Sequence, residues 1–419
     1  MAEKKSSDNN LIKTIAGDAA DNSYTDMHEA FGFRTPYFIV DRALLKRNLE
    51  LLAAVKQKTG CRILLALKAF AMPAAFPDIS PYLDGVCASS PDEARLGRNN
   101  FRREVHSFAA AYSESEFAVL KELSDFIVFN SLSMYERFRG LIYKDGGNSD
   151  NANNNDVNSP GRQISYGLRI NPEHRETDVL IYDPCAPCSR LGIIRKNLPD
   201  KLPPQISGLH FHTLCEKNAD ALQRTLEVAE DKFGSLFRQC RWVNFGGGHH
   251  ITRPDYDVEL LCRLIISFQE KYGLQVYLEP GEAVVLNTGF LVAQVLDIIE
   301  NEVSIAVLDI SAAAHTPDVL EMPYRPEAIG AGLPGEKGHT YRLAGVSCLA
   351  GDIVGDYSFD NPLEVGSRVI FTDMAHYSMV KTNTFNGIRL PDIYYYDSAA
   401  KKVLHHRTFG YEDFLTRLQ

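Results

Sequence analysis

The sequence has none of the features that mark a nucleic-acid-binding or membrane protein. No run of lysine and arginine occurs in its 419 residues, and the formal net charge is −10, so nucleic acid is not expected as a partner. The first residues, MAEKKSSDNN, include no apolar core of the kind found in secretory signals. The longest apolar stretches are too short or too interrupted by charge to cross a bilayer, so we expect no membrane association.

The cysteines do not form a regular framework either. Eight of them are scattered along the chain, which favours reduced thiols in a cytoplasmic protein over a disulfide-linked secreted domain. One C-x-x-C pair, Cys185 and Cys188, has no second pair to complete a zinc site. We interpret it as a proline-rich loop with incidental thiols.

What the sequence does contain is a regular alternation of strand-like and helix-like segments, in a chain that is 45% hydrophobic and 23% charged. Eight apolar, β-branched stretches read as strands: RILLALK (62–68), DGVCAS (84–89), VHSFAA (105–110), DFIVFN (125–130), ISYGLRIN (164–171), ISGLHFH (206–212), RWVNFGG (241–247) and LQVYLEPG (274–281). Helical patterns lie between them. Eight βα units predict an α/β protein with a parallel (β/α)8 barrel over residues 42–280.

The remainder of the chain has a different character. Residues 281–419 are rich in β-branched and aromatic residues with few helical patterns, which predicts a mostly antiparallel β-domain that also includes the strand at 35–41. Residues 1–34 read as a polar leader. The Asn- and Gly-rich run at 144–161 reads as a surface insertion in one barrel loop, and we assign it no role.

Candidate catalytic and binding residues lie at the carboxyl ends of the predicted strands, where barrels of this type place their active groups. Lys68 ends the first strand and Glu279 ends the last. Gly246, Gly247 and Gly248 follow the seventh strand, where consecutive backbone N–H groups can hold a phosphate. A tight turn that needs glycine is the alternative for these three residues.

A lysine, a phosphate cradle and a carboxylate together point to pyridoxal phosphate. The lysine amine forms a Schiff base, the backbone amides hold the phosphate, and the carboxylate keeps the pyridine nitrogen protonated. His212 is placed to stack on the ring. We expect Lys68 to be buried among apolar residues, where a neutral, nucleophilic amine is favoured.

The histidines allow a second interpretation. His210 and His212 lie two apart on a predicted strand and therefore share a face. With His249 or His250 they could hold zinc in a hydrolase barrel. A third possibility is a histidine satisfied within the core. We favour cofactor stacking and predict no metal.

Longer stretches of the sequence resemble one family of cofactor-dependent enzymes. They are TPYFIVD, LLALKAFA, GLHFHTLCE, NFGGGHHIT, YLEPGEAV, SAAAHTPDVLEMPYRP, CLAGDIVGDYSFD and DMAHYSMVKTNTFNGI, spread over about residues 35 to 390. In this order they resemble the fold-type III pyridoxal-phosphate decarboxylases, the group of ornithine and diaminopimelate decarboxylases. Within that group the chain is most similar to the carboxynorspermidine and carboxyspermidine decarboxylase branch.

The resemblance implies a role for each matching residue. Lys68 would bind pyridoxal phosphate covalently, His212 would stack on it, and Glu279 would pair with its pyridine nitrogen. Gly246–Gly248 would bind the phosphate with help from Tyr377. Because sites in this family lie at a dimer interface, the resemblance also implies a homodimer in which Cys348 and Asp352 reach the partner subunit's site, with Cys348 as a proton donor.

The same resemblance implies a polyamine-pathway reaction that releases norspermidine or spermidine and carbon dioxide. A cationic, polyamine-like substrate needs carboxylates, and the candidates are Glu216, Asp318, Glu321 and Asp352. Arg325 could bind a substrate carboxylate. For each acid, a solvated surface position or a helix cap is the commoner alternative. One departure is Glu282, which stands where related decarboxylases carry a basic residue.

Other functions remain open at this point. The same fold serves diaminopimelate and other basic amino-acid decarboxylases and racemases, and a racemase would need a second base opposite Lys68. A non-catalytic carrier of pyridoxal phosphate is a further alternative, although such proteins are usually a lone barrel. The metal-dependent hydrolase is a minor possibility.

Overall fold

The structure is a computed structural model, and it describes residues 30–146, 163–177 and 179–419. The predicted leader lies outside these ranges as far as residue 29, and almost all of the predicted insertion at 144–161 lies outside them too. No helix among the described residues is long and apolar enough to cross a membrane.

The described residues form seventeen strands: β1 (Tyr37–Asp41), β2 (Arg62–Ala66), β3 (Gly85–Ala88), β4 (Glu104–Phe108), β5 (Phe126–Phe129), β6 (Ser165–Asn171), β7 (Ile193–Ile194), β8 (Ile206–His210), β9 (Trp242–Asn244), β10 (Gln275–Leu278), β11 (Gly289–Asn301), β12 (Val303–Leu308), β13 (His339–Ala344), β14 (Ile353–Phe359), β15 (Arg368–Phe371), β16 (Asp392–Asp397) and β17 (Lys402–Arg407). The longer helices are Arg42–Thr59, Glu114–Leu123, Leu132–Gly146, Ala219–Phe237 and Val258–Tyr272. Shorter α-helices span Phe76–Ile79, Pro91–Leu96, Glu282–Val285, Ala312–His315, Asp318–Glu321, Ser378–Lys381 and Tyr411–Thr416.

The described chain divides into two compact units. The first contains Leu49–Lys68 and Phe76–Val284, and the second contains 30–48, Ala69–Ala75 and Val285–Gln419. The first unit is a closed barrel of eight parallel strands in the order β5-β4-β3-β2-β10-β9-β8-β6, and pairing of β5 with β6 completes the ring. The short strand β7 extends this sheet beside β6.

The barrel forms because its strands are apolar on both faces and its helices are apolar on one. In β9 and β5 nearly every residue is buried, as expected for parallel strands covered by helices. The helix Ala219–Phe237 begins at Asn218, whose side chain accepts the Ala219 N–H, and it buries Leu222, Leu226 and Phe233.

Trp242 fills the barrel near the amino ends of its strands. A Cβ atom at Gly208 would lie 2.0 Å from its indole ring and one at Gly167 2.5 Å from it, so these two positions need glycine to admit the ring. Its Nε1–H donates to Ser165 Oγ at 2.8 Å. This packing closes the interior near one end of the barrel, and the carboxyl ends of the strands carry the loops described below.

The second unit is a sheet in the order β14-β13-β12-β11-β1-β16-β17, with β15 also paired to β11. Its pairings are antiparallel except for β1 with β16 and β12 with β13. Tyr37, Ile39 and Phe290 form part of its apolar core with Tyr394. A barrel joined in one chain to a mostly antiparallel sheet confirms the fold class predicted from the sequence.

Candidate active site

Lys68 does not lie where the sequence analysis placed it. The strand β2 ends at Ala66, and Lys68 lies two residues beyond it, in a turn. Its neighbours Leu67 and Ala69 are buried, but Lys68 itself is exposed. The prediction of a buried lysine is therefore wrong, because the chain turns at the open end of the barrel and directs this side chain towards solvent.

Lys68 nonetheless lies close to other ionisable groups of the barrel. Its charge acts on Cys87, at the end of β3, on Glu93 in the following helix, and on His212. An amine that is exposed and acts electrostatically on a neighbouring imidazole is suited to meet a ligand at this end of the barrel.

His212 follows β8 and is fixed by a backbone contact. Its Nδ1 accepts the Gly247 N–H at 2.7 Å, so the ring proton resides on Nε2 when the imidazole is neutral. Burial, with smaller effects from the charges of Lys68 and Arg169, holds the pKa of His212 well below its usual value. The ring is therefore uncharged at neutral pH and held in one orientation.

The three glycines after β9 allow backbones to approach closely. A Cβ atom at Gly248, where φ is +80°, would lie 1.9 Å from Leu214 O, and one at Gly247 would lie 2.4 Å from Glu279 O. Two of the three amides are engaged within the chain, since Gly246 donates to Asn244 Oδ1 at 2.8 Å and Gly247 donates to His212. Of these three glycines, Gly248 is the one whose N–H donates to none of the described residues, so it is available to an anion.

Glu279, directly after β10, is a buried carboxylate with partners on both oxygens. Asn244 Nδ2 donates to its Oε1 at 2.6 Å, and His210 Nε2 lies 3.4 Å from its Oε2. Burial alone would raise its pKa, but His210, His106 and the Asn244 amide together lower it to about 2. Glu279 is therefore ionised across the physiological range and aimed by its neighbours.

Two residues that support Glu279, Asn244 and Arg169, were not predicted from the sequence. Arg169, on β6, is buried, donates to His212 O at 3.2 Å and lies 4.6 Å over the Phe108 ring. Burial lowers its pKa to about 10, so it stays cationic and offsets the buried carboxylate. A lone arginine inside an apolar strand, and an asparagine ending another, were the signals available in the sequence.

His210 and His212 do not form the zinc pair considered as an alternative. His210 faces Glu279, whereas His212 lies beyond the end of β8 and accepts from Gly247. The one group of three potential metal ligands among the described residues instead combines Glu216, His250 and Glu282.

In the second unit, Asp318 and Glu321 meet a lysine of the same unit. Both carboxylates pair with Lys381 Nζ, and these contacts outweigh burial and raise the pKa of the lysine. The two acids proposed for a polyamine thus lie together, as a sequence spacing of three in a helix implies. They already share one ammonium group, and a substrate role for them stays a prediction.

Asp352 and Cys348 lie in one loop of the second unit with different surroundings. Asp352 is buried, and its carboxylate accepts the N–H groups of Ala312 at 2.6 Å, Ala313 at 3.3 Å and Ser347 at 3.0 Å. It therefore anchors the start of the Ala312–His315 helix. Cys348 is exposed, with its N–H donated to Asn386 Oδ1 at 2.9 Å.

Arg325 and Tyr377 complete the predicted set. The Arg325 guanidinium lies 4.6 Å over the Tyr357 ring. Tyr377 has a φ of +45° and donates its N–H to Ala69 O at 2.9 Å, so its backbone is fixed to the residue that follows Lys68.

Comparison with known proteins gives consistent matches over most of the chain. A protein-family model described as "Pyridoxal-dependent decarboxylase, C-terminal sheet domain" matches residues 38–375. A carboxynorspermidine/carboxyspermidine decarboxylase of Campylobacter jejuni is 42% identical over 395 residues, which cover 92% of this chain and 98% of that protein. A carboxyaminopropylagmatine decarboxylase of Synechocystis is also 42% identical, over 92% of this chain and 95% of its own.

A solved structure agrees with these sequence matches. The crystal structure of carboxynorspermidine decarboxylase from Campylobacter jejuni, complexed with norspermidine, superposes with a TM-score of 0.81 at 41% identity. The match covers 92% of this chain and 100% of that one.

Proposed function

Since the chain belongs to the family of pyridoxal-dependent decarboxylases, we propose that it releases carbon dioxide from carboxynorspermidine or carboxyspermidine in polyamine biosynthesis. Its cofactor is pyridoxal phosphate. The observation that carries the proposal is Glu279, a buried carboxylate kept ionised at the same end of the barrel as an accessible lysine.

The described residues fit pyridoxal phosphate. The Lys68 amine is exposed and can attach to an aldehyde, Glu279 is an ionised acceptor for a pyridinium N–H, and the Gly248 N–H can meet a phosphate oxygen. Fewer glycine amides are available than the sequence predicted, so we expect the other phosphate contacts to come from further groups, with Tyr377 as the candidate. We propose that residues 42–280 form the domain that binds the cofactor and that 35–41 and 281–419 form a separate β-domain.

When bound, pyridoxal phosphate supplies an electron sink for the pair left behind by departing carbon dioxide. Glu279, kept ionised by its neighbours, would hold the proton at the pyridine nitrogen and so sustain that capacity. His212 presents a neutral ring of fixed orientation, because its Nδ1 is occupied by the Gly247 N–H. Arg169 balances the carboxylate charge inside the barrel.

The remaining assignments concern the substrate. We propose that Cys348, whose thiol is exposed, returns a proton to the substrate carbon. We propose the carboxylates of Glu216, Asp318, Glu321 and Asp352 for the polyamine nitrogens, and Arg325 for a substrate carboxylate. Asp318 and Glu321 would either bind a substrate nitrogen while they stay paired with Lys381 or release Lys381 to bind it. Their contribution to substrate binding therefore depends on that ion pair.

The assembly and the cellular compartment belong to the same proposal. We propose a homodimer in which Cys348 and Asp352 serve the partner subunit's site, on the strength of the family resemblance. We propose a cytoplasmic location because all eight cysteines are free thiols in the structure, as is usual in a reducing compartment.

A second substrate deserves equal testing. The carboxyaminopropylagmatine decarboxylase of Synechocystis is as similar to this chain, at 42% identity, as the relative from Campylobacter jejuni. Identity over the whole chain therefore does not rank the two substrates, and carboxyaminopropylagmatine is our second candidate.

Carbon dioxide release from the purified holoenzyme tests the substrate assignment. The panel contains carboxynorspermidine, carboxyspermidine, carboxyaminopropylagmatine, meso-diaminopimelate and L-ornithine. We expect the highest kcat/KM with a carboxylated triamine, because several carboxylates are available for its extra nitrogens. Release only from diaminopimelate or ornithine would contradict this assignment, and release from none by a protein with bound cofactor would favour a racemase or a carrier.

Mixing inactive variants tests the shared site. If Lys68 and Cys348 of one site come from different subunits, equal amounts of Lys68→Ala and Cys348→Ala protein, exchanged into mixed dimers, recover about a quarter of wild-type activity. The matched control mixes Lys68→Ala with His212→Ala, both on the barrel, and should recover nothing. No recovery in the first mixture, with subunit exchange shown by native mass spectrometry, would rule out this arrangement.

A further inference from the structure

Three side chains form a cluster beside the proposed cofactor site, and two of them, His250 and Glu282, have no part in the reaction proposed above. Glu216 follows β8, His250 follows β9 and Glu282 follows β10, so they lie on three successive loops at the carboxyl ends of adjacent strands. One ligand atom from each of the three side chains lies within 4.8 Å of the other two.

His250 is the informative member of the cluster. It is only 6% exposed, and neither ring nitrogen forms a hydrogen bond with the residues that the structure describes. Its Nε2 lies 3.1 Å from Glu282 Oε2, within ion-pair distance but without hydrogen-bond geometry. A buried imidazole of this kind is costly unless something else satisfies it.

The composition of the cluster indicates what would satisfy it. Two carboxylates in one cluster repel each other, and a cation bound between them would relieve that repulsion. One imidazole and two carboxylates form a ligand set suited to zinc or manganese, whereas calcium and magnesium prefer oxygen ligands alone. Ligand atoms around one such ion, about 2.1 Å from it, stand at most about 4.2 Å apart, so side chains whose ligand atoms lie within 4.8 Å of one another would need only a small movement to bind it.

We propose that Glu216, His250 and Glu282 bind one divalent transition-metal cation, for which Zn²⁺ is the probe. Under this assignment Glu216 serves the cation and not the polyamine. Metal binding is independent of the proposed decarboxylation, because a protein that released no carbon dioxide could still bind the ion.

The backbone already fixes the three loops near one another. Lys217 N–H donates to Gly248 O at 3.0 Å and His250 N–H donates to Lys217 O at 3.3 Å. Thr252 Oγ1 donates to Ala283 O at 2.6 Å, which ties the loop of His250 to the helix that begins at Glu282. The segments that carry the ligands are thus held near one another before the ion arrives, and the bound ion would link them further.

Calorimetric titration of untagged, chelator-treated holoenzyme with ZnCl₂ is the test. We expect one site per chain, with affinity lowered about tenfold or more in Glu216→Gln and in Glu282→Gln, since each amide retains the shape but loses the charge. Zn²⁺ should also raise the Tm of the wild type but not that of Glu282→Gln. Controls are Glu364→Gln and His405→Gln, which alter exposed side chains of the second unit and should bind as the wild type does.

Three results would overturn the proposal. One is Zn²⁺ binding that neither glutamine substitution weakens, in variants whose circular dichroism and cofactor spectrum match the wild type. The second is a zinc anomalous-difference peak in soaked crystals that lies away from these three side chains. The third is the absence of binding at millimolar metal.

Discussion

Lys68→Ala is expected to lower the rate of carbon dioxide release roughly 10⁴-fold or more, the scale on which loss of a covalent catalyst acts. The physical reason is that Lys68 is the exposed amine at the mouth of the barrel, in electrostatic contact with His212 and Cys87. Steady-state release from the best substrate of the panel, with cofactor in excess, measures the effect.

A chemical readout separates this role from a structural one. Borohydride reduction of the wild type should fix the cofactor on the peptide that contains Lys68, as detected by mass spectrometry, and the Ala variant should yield no such peptide. Lys46, exposed on the helix Arg42–Thr59, offers a matched control, because Lys46→Ala should keep both activity and labelling. Labelling of a different lysine in the wild type would contradict the assignment.

The exposure of Lys68 also shows that the sequence predicts the barrel strands better than it predicts where they end. Apolar runs placed all eight barrel strands, because a strand buried on both faces leaves a clear pattern. The ends of those strands were placed less well. The runs continued through Leu67 and Phe211, but the strands end at Ala66 and His210. Lys68 therefore lies in a turn and His212 in an irregular segment, where a side chain can leave the core.

The partners of buried polar groups could not be predicted from the sequence either. Glu279 was predicted as a site residue because it lies at the end of a strand. Its contact with Asn244, 35 positions earlier in the chain, leaves no pattern in the sequence. Arg169 was overlooked for the same reason. Asp352, proposed for a substrate, proved to accept three backbone N–H groups, because a carboxylate beside a helix start is drawn to the unpaired amides there.

Glu279→Gln is expected to reduce kcat about 10²- to 10³-fold with a much smaller change in KM, the range typical for loss of one preorganised electrostatic contact. The carboxylate is held ionised, with a pKa lowered to about 2, whereas an amide at the same place cannot hold a proton at the pyridine nitrogen. The variant should still fold and bind cofactor, since the amide has the same shape and Asn244 can still contact it. The kcat and KM of the variant, with the visible spectrum of its bound cofactor, measure the effect.

The pH dependence gives this prediction a further test. A carboxyl whose folded pKa is below its unfolded value stabilises the fold above the unfolded value, and that stabilisation is lost as pH falls towards the folded value. For Glu279 this window runs from the ordinary glutamate range down to about 2, so its protonation cannot produce an acid limb in kcat near neutral pH. Glu279→Asp, which keeps the charge, should recover part of the lost rate, and Glu364→Gln should change nothing. Wild-type kcat for Glu279→Gln, or an acid limb near neutral pH that disappears in that variant, would show that Glu279 does not act as the ionised partner of the cofactor.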